Sequence, residues 1–182
     1  TINNKLELFS ANDEKFTQED MILALECITQ SFPHEYIIYD IDNDELESPA
    51  NRLIINNSDV VIIVINQSTT ELKRFKERKD KILNALGKVP QLVVINKYCE
   101  VQGSLKETAH MMGVKVPKNW SVIRYNPWIT FGTNFGKLSE VFEKMKEGDY
   151  RVIDVASDVK ALVNLIYKVK VVKRKLNKDM AF

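Results

Sequence analysis

The chain has 182 residues, 45% of them hydrophobic and 28% charged, a composition that excludes a disordered polypeptide and allows a sizeable core. Lys and Arg total 26 against 25 Asp and Glu, so no global basic field announces nucleic acid and any such partner must be sought locally. The longest purely apolar run, Val60–Ile65, is far short of the roughly 20 residues that span a bilayer. No charged-then-apolar leader opens the chain, and the expected location is the cytoplasm.

In chain order, Lys5–Phe9 reads as a short strand. Thr17–Ser31 reads as a helix: Thr17 with Asp20 three residues on makes a capping arrangement, and Met21, Ile22, Leu25 and Ile28 follow at helical spacing. Pro33 ends that helix and forces an extended path into a predicted strand at Glu35–Ile41. A polar loop or helix leads to Val60–Ile65, a β-branched block that suits a strand covered on both faces in a parallel sheet. Ser68–Leu86 is a predicted helix with an apolar stripe at Leu72, Phe75, Ile82, Leu83 and Leu86, capped at its end by Gly87.

Pro90 precedes a further buried strand, Gln91–Ile95, which runs into Asn96-Lys97. A short helix over Leu105–Met112 stops at Gly113, Trp120–Tyr125 is the last predicted strand, and Asn126-Pro127 breaks it. The remainder is helical, with Lys137–Lys146 followed after Gly148 by a long segment over Arg151–Lys175. Strands separated by helical stretches imply parallel βαβ units in a three-layer α/β/α fold with a mostly parallel sheet. No repeat, linker or internal boundary is legible, so residues 1–182 are expected to form one domain with a basic tail at 168–182.

Three features carry chemistry, each with a plainer alternative. Asp40 and Asp42, with Asp44 close behind, sit at the predicted strand end in IYDIDND. Such a cluster suits a hydrated Mg²⁺, but turns are also rich in Asp because its side chain bonds nearby backbone N–H groups. Asn96-Lys97 closes an apolar strand, where an amide offers a donor and an acceptor to a purine edge; a strand-end turn is the alternative. Where an N-K-x-D signature would place a guanine-reading carboxylate, the chain has Cys99.

Lys168, Lys170, Lys173, Arg174, Lys175 and Lys178 interleave with Val169, Val171, Val172 and Leu176. They suit a basic amphipathic end that meets DNA phosphates or an anionic membrane, or else a solvated helix face. Cys27 and Cys99 are widely separated and read as free thiols, while His34 and His110 fall in no nucleophile or metal pattern. Trp120, Trp128 and Phe131 around the final loop read as packing residues, with a stacking platform for bases as the alternative. No catalytic residue is assigned.

The order of HEYIIYDIDNDELESPANRLIINNSDVVIIVINQS, a helix, LVVINKY, WSVIRYNPWITFGTNFGKLSEVF and a closing helix resembles the later part of the ParA/MinD family of deviant P-loop ATPases, over about Lys5 to Lys168. The resemblance implies a P-loop NTPase-like sheet, ATP and Mg²⁺ as ligands, and a nucleotide-dependent positioning or partition switch. Asp40 matches the family's aspartate that helps hold the Mg²⁺ water shell, and Asn96 matches its adenine-reading asparagine. Asn126 and Pro127 fall where the family's loop borders the base. Partners so implied are a second copy of the chain, a protein partner, or DNA or an anionic membrane met through Lys168, Lys170, Lys173, Arg174 and Lys175.

The departures are specific. No G-x-x-x-x-G-K-[ST] loop occurs, and the six glycines are scattered. Ile41 and Asp42 follow Asp40 where the family has a small residue and proline, and Arg124-Tyr125 stands where it has Ile-Pro. ATP hydrolysis is therefore left open, with a non-catalytic interaction module as the alternative. In the family the phosphate-loop strand lies between the strands matching Glu35–Ile41 and Val60–Ile65. Either upstream sequence supplies it, making this chain a piece of a longer one, or these two strands pair directly.

Overall fold

Residues 17–31, 36–115 and 120–179 are described in a computed structural model; the predicted strand Lys5–Phe9, along with Pro33, His34 and Glu35, lies outside them. Three apolar runs become strands: β1 (Val61–Asn66), β2 (Gln91–Tyr98) and β3 (Trp120–Arg124). They form an open sheet in the order β1-β2-β3, with both pairings parallel. Helices connect them, as parallel neighbours require, and the chain is an α/β protein. By contacts it divides into two compact units, residues 1–58 with 81–87, and residues 59–80 with 88–182.

In the first unit, α1 (Gln18–Ser31) begins at a reciprocal cap. The Thr17 hydroxyl accepts from the Asp20 N–H at 3.2 Å, and the Asp20 carboxylate accepts from the Thr17 N–H at 2.9 Å. That arrangement holds the Asp20 carboxyl below its ordinary range. α2 (Pro49–Asn57) has Pro49 in its first turn and Ser48 as its cap, with the Ser48 hydroxyl accepting from the Asn51 N–H at 3.3 Å. α1 packs against α2, and Leu46, Ala50, Ile55, Ile82 and Leu86 are buried within this unit.

Over the described residues of the predicted strand at Glu35–Ile41 no strand is formed. Residues 36–41 carry no strand, and Ile38 is 91% exposed. Their β-branched composition satisfies a propensity, but a strand exists only where a neighbour completes its ladder and something covers its apolar face. Among the described residues β1 has β2 as its strand neighbour.

The second unit holds the sheet. α3 (Thr69–Leu86) leaves β1 with Ser68 accepting from the Glu71 N–H at 3.2 Å, and its stripe residues Leu72 and Phe75 are buried. α4 (Leu105–Met111) starts at a capping box between Ser104 and Glu107, which holds the Glu107 carboxyl below its ordinary range. Residues 127–134, expected as loop, form α5 (Pro127–Asn134), followed by α6 (Leu138–Lys146) and α7 (Ile153–Asp179). Asn126 is what converts that loop: its Oδ1 accepts from the Trp128 N–H at 2.8 Å and the Ile129 N–H at 3.4 Å, with Pro127 opening the first turn.

α7 packs on β3 and α6, while α5 packs on α6. Gly132 makes the last contact possible, because a Cβ there would lie 2.9 Å from Val141 Cγ2. The buried centre of the unit runs through Ile65, Leu92, Val94, Ile95, Met112, Val141, Val152 and Val155. Complete burial of a side chain such as Leu92 or Ile95 stabilises by about 1.5–3 kcal/mol.

Candidate functional site at the carboxyl ends of the strands

Side chains at the carboxyl ends of adjacent parallel strands face a common rim, the usual location of ligand sites in open α/β sheets. β1 ends at Asn66 and β2 carries Asn96 directly opposite it in register, so both amides lie on one face of the sheet. Asn96 Nδ2 donates to Asn66 Oδ1 at 3.0 Å. Asn66 Nδ2 donates in turn to Glu71 Oε1 at 2.9 Å, and the Asn66 backbone N–H donates to Glu71 Oε2 at 3.1 Å. Glu71 reaches back to the strand end from the first turn of α3, where a carboxylate is also favoured by the helix dipole.

An amide has two N–H donors and a carbonyl acceptor. Asn96 uses one N–H on Asn66, which leaves its second N–H and its Oδ1 with no partner among the described residues.

Behind this row Gln67 acts as a bolt. It is 7% exposed, its Nε2 donates to the Gly103 carbonyl at 2.8 Å and to Thr108 Oγ1 at 3.3 Å, and its Oε1 accepts from the Cys99 N–H at 2.7 Å. The β1–α3 turn, the segment after β2 and the start of α4 are thereby held to one another through one buried side chain. Cys27 and Cys99 are both free thiols.

Lys97, next to Asn96, is exposed and has φ of 53°, the left-handed region. It is the only non-glycine residue at positive φ among the described residues, at a cost of about 1 kcal/mol or more. The pairing of β2 with β3 skips it, moving from Asn96↔Ile123 to Tyr98↔Arg124. Lys97 is thus the extra residue of a bulge, a device that re-aims side chains at functional rims.

The end of β3 is built differently. Asp158 of α7 is 9% exposed and accepts from the Arg124 backbone N–H at 2.9 Å, from Arg124 Nε at 2.9 Å and from Arg124 Nη2 at 2.9 Å. Arg124 Nη2 also donates to the Asp154 carbonyl at 3.1 Å, and the Asp158 carboxylate raises the Arg124 pKa further above its already high ordinary value. Asn126 caps α5 with its oxygen and donates through Nδ2 to the Arg151 carbonyl at 2.8 Å.

Arg151 lies 4.7 Å from the Trp128 ring centre and pairs with Asp149 at 2.9 Å, an interaction that holds the Asp149 carboxyl far below its ordinary range. Phe131 meets Trp128 edge-on at 6.1 Å, on a helix where a loop was expected, and is itself 40% exposed.

Of the four residues singled out by sequence, Asn96, Asn126 and Pro127 lie at the carboxyl ends of neighbouring strands. Asn126 and Pro127 are employed structurally as cap and first turn of α5, Asn126 through its oxygen and one N–H. Asp40 belongs to the first unit, exposed in a strandless segment. Asp42 makes the turn that its sequence allowed, its Oδ1 accepting from the Asp44 N–H at 2.9 Å. No group of three or more His, Cys, Asp or Glu side chains able to hold a metal occurs among the described residues.

Asn66, Glu71, Gln67 and the strain at Lys97 are additions of the structure. The repeated Ile-Asn endings of the two apolar runs, Ile65-Asn66 and Ile95-Asn96, were the available signal for the first.

No protein-family model matches the chain, and no curated protein or solved structure matches it.

Proposed function

We propose that the chain is a ParA/MinD-like, P-loop NTPase-like domain acting as a nucleotide-dependent switch in positioning or partition, with the β2 rim as its adenine-reading end. The observation that carries this reading is Asn96: on the middle strand of a parallel sheet, anchored through one N–H, with an N–H and a carbonyl left to pair with a purine edge. The residues fit the base of ATP. They do not fit its Mg²⁺-triphosphate end, since Asp40 stands in no metal-holding group among the described residues and the 182 residues contain no glycine-rich phosphate loop. No hydrolytic step is therefore derived, and Asp40 as a Mg²⁺ residue remains part of the proposal by resemblance alone.

With base contacts alone supplying affinity, ATP and adenosine are expected to bind this chain about equally, with a Kd on the order of 1 mM. Calorimetric or ligand-observed NMR titration measures this, and Asn96→Ala abolishes both signals. Lack of saturable binding by either ligand rejects the reading, and micromolar ATP binding shows that phosphates are held by groups not identified above.

A second reading, an interaction module, is favoured by α7. Val159, Val163 and Tyr167 recur at four-residue spacing and are 42%, 42% and 45% exposed, and the helix continues through Lys168, Lys170, Lys173, Arg174 and Lys175. The side chains from Lys170 onward lie outside the described residues. Binding to DNA or anionic liposomes that persists without nucleotide, and is lost when these five charges are neutralised, identifies this reading.

A further inference from the structure

The hydrogen-bond row at the β1 and β2 ends has a direction. A carboxylate only accepts, so the part of Asn66 that faces Glu71 at 2.9 Å must be its amide nitrogen. Asn66 Oδ1 is then the atom turned toward Asn96, and only the Asn96 amide nitrogen can meet it at 3.0 Å. The acceptor-only group at one end thus fixes two amides in series. A free carboxamide presents its oxygen and nitrogen in either order by a half-turn, whereas this one presents a single order.

We propose that Glu71 and Asn66 are positioning residues that lock the Asn96 amide and make the rim discriminate a 6-amino from a 6-oxo purine. The proposal rests on the purine-nucleotide reading above. Adenine presents an exocyclic N–H donor beside a ring-nitrogen acceptor; hypoxanthine presents a carbonyl acceptor beside a ring N–H donor. For a base seated in one orientation the two edges are reversed copies, so a locked amide matches one and a turning amide matches both. Backbone anchorage reinforces the lock, because Glu71 Oε2 also accepts the Asn66 N–H at 3.1 Å.

The test compares ATP and ITP on the full chain and on Glu71→Gln, an isosteric change whose one oxygen is held by the Asn66 backbone N–H, so that its NH₂ faces the Asn66 side chain and removes the acceptor that sets the order of the row. The intact chain is expected to prefer ATP roughly tenfold, as a good bidentate pair allows, and Glu71→Gln to lose or reverse that preference.

Adding Asn66→Asp to Glu71→Gln restores an acceptor-only group beside Asn96 and is expected to restore the preference, a rescue that a purely structural role does not produce. A preference unchanged in Glu71→Gln overturns the proposal, as does a lost or reversed preference that the paired change fails to rescue. If the intact chain binds neither nucleotide, the purine reading fails and the discriminating role falls with it. The lock is then judged from solvent exchange of the side-chain amide protons: Asn66 and Asn96 NH₂ protons that exchange slowly in the intact chain and faster in Glu71→Gln support it, and exchange as fast in the intact chain as in Glu71→Gln overturns it.

Discussion

The ends of β2 and β3 are neighbours in one sheet, yet their polar groups are in opposite conditions. At β3 the Arg124 N–H and guanidinium, the Asn126 amide and the Arg151 guanidinium are met by Asp158, the α5 N-terminus, and Asp149 with Trp128. At β2 the Asn96 amide has a donor and an acceptor with no partner among the described residues, and Lys97 is held at a φ that disfavours every side chain. The groups at the β3 end are held in the fold's own hydrogen bonds, whereas the half-buried Asn96 amide keeps capacity that solvent or a ligand can meet, beside a strained backbone. The sequence resemblance assigned base-bordering roles to both ends, and the geometry separates them.

The largest expected effect is at the saturated end. Asp158→Ala leaves a backbone N–H and a guanidinium without their acceptor. Breaking a fully buried pair would cost about 3–5 kcal/mol, and the Arg124 side chain is 43% exposed, so a loss of about 2–3 kcal/mol is expected in chemical denaturation. Nucleotide titration of the surviving folded protein should be unchanged; a loss of binding out of proportion to the folded fraction would erase the distinction between the two ends. Asn126→Ala removes the α5 cap and the bond to Arg151, with an expected cost of about 1–2 kcal/mol by the same measurement. Asn126→Asp keeps the capping acceptor and should recover part of it.

Local rules made much of this legible beforehand. Val60–Ile65, Gln91–Ile95 and Trp120–Tyr125 lie within a residue or a few of the strands formed, the Thr17 cap stands where spacing put it, and Leu72, Phe75, Ile82 and Leu86 of the α3 stripe are buried while Leu83 is 38% exposed. Glu35–Ile41 went the other way because a strand is a pairwise object: Tyr36–Ile41 has the composition but no ladder. The loop expected after Pro127 became a helix because Asn126 serves a helix start as readily as a strand stop. At the site, Asn96 was visible as a strand-ending amide, but its orientation depends on Asn66, thirty residues away, and on Glu71. The left-handed Lys97 arises from the β2–β3 register, which no single strand encodes.

A smaller effect of opposite sign is expected at the unsaturated end. Lys97→Gly removes the side-chain penalty at positive φ and should stabilise by about 1 kcal/mol or less, part of the gain being offset by glycine's greater freedom when unfolded. If the bulge serves a ligand, the same variant weakens ATP binding while its denaturation midpoint rises. A rise in stability with unchanged binding would make the bulge a feature of strand packing alone.

The smallest effect is confined to acid and sharpens the account of the β3 end. Asp149, held by Arg151, has a folded-state pKa depressed below its unfolded value, so its contribution is complete above the unfolded carboxyl range and is lost as pH falls through the folded value. Asp20 and Glu107 are depressed by their capping partners and lose their contributions on the same side. A bare acid profile therefore mixes at least these three groups. Asp149→Asn keeps the shape but cannot titrate, and subtracting its profile from that of the intact chain isolates one carboxylate. The difference should favour the intact chain at neutral pH and shrink as pH falls below about 4. A difference independent of pH would mean that Asp149 acts at this end through the shape of its turn, since only its charge-assisted hold on Arg151 makes the contribution depend on protons.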